Sequence, residues 1–120
     1  QSAVFLSAGG YHHHLGLNTW ESRGGSPPSP RSTGLYHVAI LYPDRATLAD
    51  ALRRVMAAGI PLEGASDHGV SEAIYLRDPD GNGVELYRDR PMAEWPRDEQ
   101  GELAMTLDPF DLQALLAEAP

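Results

Sequence analysis

Most of the chemistry available to this chain of 120 residues rests on five histidines and a few interior-facing polar groups. His12, His13 and His14 are consecutive, while His37 sits early in the apolar run 35–42 and Glu85 is flanked by Val84 and Leu86. Taken alone, His37 reads as a hydrogen-bonded core histidine or as a ligand. An ionised carboxylate facing a protein interior costs several kcal/mol unless compensated. Glu85 is therefore a metal ligand, a structural ion-pair partner or an exposed strand carboxylate. Imidazole plus carboxylate is the ligand chemistry of divalent iron, manganese or zinc. A facial iron centre needs a second histidine as well, and none follows Glu85 in the sequence. The missing ligand must come from residues 12–14 or from outside this chain.

The elements that must position these groups can be read from periodicity. Residues 3–8 predict a short strand, Gly9-Gly10 a turn, and residues 11–19 a second strand. In such a strand His13 projects to one face and His12 and His14 to the other, so the three cannot share one ion. One buried and two surface histidines is the plain alternative. Residues 20–34, rich in Gly, Ser, Pro and Arg, read as a linker. Residues 35–42 form the clearest strand. Asp44 or Thr47 can then cap a helix whose apolar stripe is Leu48, Ala51, Leu52, Val55 and Met56. Gly59 occupies the left-handed position after that helix. Residues 61–68, 71–77 and 83–88 are three further strands, the last two separated by the turn Asp78-Pro-Asp-Gly-Asn82. Asp108, followed by Pro109, predicts the N-cap of a final short helix bearing Leu112, Leu115 and Leu116.

The expected fold class is α+β. A βαβββ module over residues 35–91 is preceded by a β-hairpin and linker over residues 1–34, the remnant of a preceding module. It is followed by an acidic extension, residues 92–120, in which seven acids face Arg97 alone. Gln1 in place of methionine, with strand residues close behind, leads us to expect that an upstream part is missing. The open edge and apolar face of the hairpin then predict a homodimer.

Composition narrows the functional classes. A net charge of −8 excludes a nucleic-acid binder of the usual basic kind. No apolar run approaches the length of a membrane span. Cysteine is absent, which removes disulfides, thiolate metal sites and a cysteine nucleophile, and suits a cytoplasmic location.

Three stretches together carry a resemblance: Gly9-Gly-Tyr-His-His-His-Leu-Gly-Leu-Asn-Thr-Trp20, Gly34-Leu-Tyr-His-Val-Ala-Ile40, and residues 67–91 with Asp78-Pro-Asp-Gly-Asn-Gly-Val-Glu-Leu-Tyr87 at their centre. From about residue 3 to residue 95 the chain resembles the vicinal-oxygen-chelate superfamily, and within it the catechol 2,3-dioxygenase-like branch. The resemblance implies paired βαβββ modules around a divalent metal, Fe(II) first, with Mn(II) or Zn(II) as alternatives. It implies His37 and Glu85 as two of three metal ligands, the third lying on a strand this chain lacks. It implies His13 as an acid–base histidine, Tyr75 as a contact to catecholic oxygens and His68 as a pocket histidine, although the spacing from His68 to Tyr75 departs from better-known members. The substrates implied are a small aromatic diol and dioxygen. A glyoxalase-type lyase or isomerase, or a metal-free small-molecule-binding module, would be built on the same fold.

Overall fold

The computed structural model describes residues 2–120, which form two compact units, residues 2–32 and 33–120. In the first, β1 (Ala3–Leu6) pairs antiparallel with β2 (Leu15–Asn18), Phe5 opposite Gly16 and Leu6 opposite Leu15. The expected hairpin is present, but its second strand is shorter than expected. His12, His13 and His14 lie in the bend before β2, so strand alternation does not separate them. Gly9 and Gly10, at φ of 66° and 76°, make the turn, and it continues through the histidines. The Nδ1 atoms of His12 and His13 approach to 2.8 Å.

The second unit runs β3 (His37–Leu41), α1 (Arg45–Ala57), β4 (Leu62–Asp67), β5 (Ser71–Arg77), β6 (Gly83–Asp89) and α2 (Leu112–Leu116), with a single 3-10 turn at Met92–Glu94. The sheet order is β3-β6-β5-β4. The β3–β6 pair is parallel and the other two pairs are antiparallel, giving a mixed sheet that does not close. This is the expected α+β, βαβββ arrangement.

Local chemistry explains α1. Asp44 is extended and its carboxylate accepts from the Thr47 backbone N–H at 2.7 Å, the first half of a capping box that the Thr47 side chain completes. Gly59 leaves the helix at φ 68°. Leu48, Ala49, Ala51 and Leu52 are buried against Ile74, Leu76 and Leu86, and Val55 packs at their margin. Met56, the last residue of the expected stripe, is instead half exposed. Leu48, Leu52, Ile74 and Leu115 are fully buried, and each contributes about 1.5–3 kcal/mol of transfer free energy.

Leu115 belongs to α2, so the C-terminal residues complete this core. The cap of α2 is Asp111, whose carboxylate accepts from the N–H groups of Gln113 and Ala114, both at 3.0 Å. Asp108, the expected cap, instead exchanges two backbone hydrogen bonds with Asp67 at the outer edge of β4. This pairing satisfies both backbone groups of Asp108 and, in the same exchange, both of Asp67 at the strand edge.

On the helix side of the sheet, Glu72 is almost entirely buried. Its Oε2 takes Arg88 Nε at 2.8 Å and Arg45 Nε at 3.0 Å, and its Oε1 takes an Arg90 nitrogen at 3.2 Å. Arg90 also reaches Asp67 at 2.5 Å, and Arg45 also pairs with Glu118 beyond α2. Three guanidinium groups and three carboxylates thus join α1, β4, β5, β6 and the C-terminus. Among the described residues no helix is long and apolar enough to cross a membrane.

Candidate metal centre

Alternation along β5 and β6 turns Ile74, Leu76 and Leu86 toward α1 and Tyr75 and Glu85 to the opposite face. Tyr75 is directly across from Glu85 in the antiparallel register, and Ala39 is across from Glu85 in the parallel one. His37 opens β3 opposite Gly83. A Cβ on Gly83 would lie 2.3 Å from the Tyr36 carbonyl oxygen and 3.0 Å from the His37 Cβ. Only glycine lets the two strands approach at that point, and the approach brings His37 beside Glu85.

His37 Nε2 lies 2.9 Å from Glu85 Oε2, with the Glu85 side chain mostly buried and that of His37 about one-third exposed. The other oxygen, Oε1, is 3.4 Å from the Tyr75 hydroxyl, which in turn is 2.9 Å from His68 Nε2. His68 Nδ1 is 3.1 Å from the Thr106 carbonyl oxygen. Four residues singled out in the sequence, His37, Glu85, Tyr75 and His68, are thereby brought into one continuous polar chain. His13 lies in the first unit, exposed, with its ring centroid 4.8 Å from that of Phe5.

Burial and then the negative charge of Glu85 push the Tyr75 phenol up to about 12. The folded state therefore holds this proton more tightly than the unfolded chain does. Stability on this account is full below pH about 10 and falls as pH rises from 10 toward 12. In a spectrophotometric titration of the five tyrosines, the last to ionise before unfolding is expected to vanish in Tyr75→Phe. An unchanged late phase would assign it elsewhere.

The donor set fits a divalent cation in part. Metal–ligand bonds of about 2.1 Å at roughly right angles place two donor atoms about 3 Å apart. The His37–Glu85 separation of 2.9 Å matches that spacing. Among the described residues, no group of three or more histidine or acidic side chains converges on one point. The pair therefore supplies two ligands of a sphere that needs more.

Two features of the site were not apparent from the sequence. A cavity of about 90 Å³ opens beside His37, bordered by Tyr36, Tyr75 and the Glu63–Arg77 ion pair. The alternation of β5 placed Arg77 on the Tyr75 face, but the Glu63 partner depends on a register shift in β4 between Leu62 and Gly64 that no local signal announces. The second is the Thr106 carbonyl, a backbone group with no signature of its own.

With this geometry in view, comparison with known proteins places the chain. Residues 1–86 match the Glyoxalase/Bleomycin resistance protein/Dioxygenase superfamily, and the chain belongs to that family. It is 53% identical over 92 residues to catechol-2,3-dioxygenase of Bacillus subtilis (strain 168), covering 77% of this chain and 32% of that protein. It is 37% identical over 87 residues to biphenyl-2,3-diol 1,2-dioxygenase 3 of Rhodococcus globerulus, covering 71% of this chain and 45% of that protein. Among solved structures, lactoylglutathione lyase from Agrobacterium tumefaciens superposes with a TM-score of 0.54 at 27% identity, covering 72% of this chain and 68% of that one. The chain thus spans about a third of the length of the catechol relative and under half that of the biphenyl-diol relative.

Proposed function

We propose that these residues are part of a metal-dependent dioxygenase that cleaves the ring of a small catecholic diol, and that the chain by itself is inactive. The observation carrying this reading is the His37–Glu85 pair, two donors 2.9 Å apart on the open face of the sheet. The identity of 53% to the catechol relative supports the same chemistry. His37 Nε2 and Glu85 Oε2 would hold the metal, Fe(II) before Mn(II) or Zn(II). Bound there, it would supply Lewis acidity and an electron path between diol and dioxygen. Tyr75, reaching over Glu85, orients a ring oxygen, and His68 holds Tyr75 in place. His13 is assigned the proton transfer, an imidazole being suited to that task near neutral pH. The lack of cysteine suits a cytoplasmic setting.

Oxygen uptake by the whole protein with catechol and with biphenyl-2,3-diol is the direct test, and a ring-opened product is expected. No oxygen consumption is expected from the 120 residues alone, because the metal sphere is two ligands deep. The likeness to lactoylglutathione lyase favours a second reading, a lyase with a redox-inert metal, at lower identity. Turnover of a glutathione adduct without oxygen uptake would select it.

A homodimer belongs to the same proposal. Val4, Phe5, Leu6 and Leu17 of the hairpin are exposed, an apolar surface on a two-stranded sheet. Sedimentation at micromolar concentration is expected to give a dimer, and a monomer would end that part of the reading.

A further inference from the structure

The Tyr75 hydroxyl has one proton and two neighbours ready to receive it, Glu85 Oε1 at 3.4 Å and His68 Nε2 at 2.9 Å. Which one takes it depends on where His68 carries its own hydrogen. A backbone carbonyl only accepts. With Thr106 O 3.1 Å from His68 Nδ1, a neutral His68 must carry its hydrogen on Nδ1, because the other tautomer would set two lone pairs against each other. Nε2 is then a bare acceptor facing the Tyr75 hydroxyl.

The carbonyl is held firmly in that position. Thr106 N–H donates to the His68 carbonyl at 2.9 Å, so His68 and Thr106 are joined through both backbone and side chain. The Asp67–Asp108 backbone pair, at 2.8 and 3.1 Å, anchors the next position. Gly69, at φ 74°, carries the turn beneath, and a Cβ there would sit 2.7 Å from the Pro96 ring and 3.2 Å from Thr106 Oγ1. The segment around Thr106 is thus packed onto the turn bearing His68. It also lies beyond residues 1–86, which carry the family match.

We propose that residues 104–108 are a positioning element of the site: through the Thr106 carbonyl they hold His68 as the Nδ1–H tautomer, which draws the Tyr75 hydroxyl proton toward Nε2. The phenol oxygen then turns a lone pair toward the open face, and the longer 3.4 Å contact with Glu85 Oε1 goes without a hydrogen. Tyr75 meets a bound ring as a hydrogen-bond acceptor, suited to a substrate hydroxyl that still carries its proton and unsuited to a ring ether. The Glu85 carboxylate keeps its full charge for a cation. The role toward substrate rests on the ring-cleaving reading, whereas the tautomer does not.

Long-range ¹H–¹⁵N correlation of the ¹⁵N-histidine-labelled full chain, at a pH where imidazole is neutral, tests it without metal or substrate. His68 is expected to show a protonated Nδ1 and an unprotonated Nε2, the less favoured form of free histidine. Thr106→Pro, which removes the N–H donated to His68, is expected to return His68 to the mixture of free imidazole, with the methyl signals of Leu48, Leu52 and Ile74 unmoved. An Nε2–H tautomer in the parent chain would overturn the proposal, as would an Nδ1–H form that persists in folded Thr106→Pro once the amide signals of residues 104–108 show that the segment has left the turn bearing His68. The parent spectrum decides alone should the variant not fold. Either failure leaves the oxygen-uptake test of ring cleavage untouched.

Discussion

Replacing His37 or Glu85 with alanine is expected to remove divalent-cation binding from the chain, read as the loss of Mn(II) uptake in a paramagnetic-resonance titration. The unsubstituted chain should bind Mn(II) weakly, because one imidazole and one carboxylate 2.9 Å apart make only part of a sphere. Losing an outer hydrogen-bond partner of a metal ligand typically costs about 10–100-fold in affinity. Losing one of two direct ligands should cost at least the upper end of that range. Tyr75→Phe, which touches Glu85 only through a 3.4 Å contact, should leave the curve nearly in place. Because both ligands must be unprotonated to bind, uptake should also fade as the solution is acidified. A titration indifferent to both alanine substitutions would show that the pair is a structural ion pair and would favour the metal-free binding alternative.

Glu72→Ala is expected to cost about 3–5 kcal/mol, the range for removing one member of a buried ionic cluster and leaving its partners uncompensated. Glu72 is 4% exposed and takes guanidinium hydrogens from Arg45, Arg88 and Arg90. Without it, three cations share one corner of the helix side, and Asp67 and Glu118 at its margins cannot replace the central carboxylate. A domain of this size is stable by only about 5–15 kcal/mol, so the variant should show a much lower urea midpoint and a measurable unfolded fraction without denaturant. The exposed pairs of Asp50 with Arg53 and Arg54 on α1 give the contrast, since ion pairs on a helix surface are screened by water and contribute little. A loss for Glu72→Ala as small as theirs would mean that water enters the cluster, and the assignment of Glu72 as its centre would fall.

How much of this was legible in the sequence follows the range of the interactions. The Asp44 cap, the turn at Gly59 and the strand over residues 71–77 depend on contacts within a few positions, and these features stand where the pattern placed them. His37 and Glu85 stood out because an ionisable group in an apolar strand is costly without a partner. The same reasoning failed at His12–His14. Alternation was carried through them, but the two glycines turn the chain and the turn extends to residue 14. Glu72 carries no local signal of its burial, because its partners on α1, on β6 and just beyond β6 lie 27, 16 and 18 positions away.

The sequence by itself determined the order and type of the elements, the face taken by the residues of β5 and β6 and the residue types able to hold a cation. Those properties follow from short-range backbone preference and from the twofold and 3.6-fold periods of side-chain burial. Only the tertiary structure decided which polar groups meet. The approach of β3 to Gly83 sets His37 against Glu85, and the return of the C-terminus to the edge of β4 sets Thr106 against His68, 38 residues earlier. The same return buries Leu115 in the core from a stretch that read as an acidic extension. Each of these contacts is made by chain closure over long separations, where the decisive terms are the fit of one surface to another and the pairing of buried polar groups.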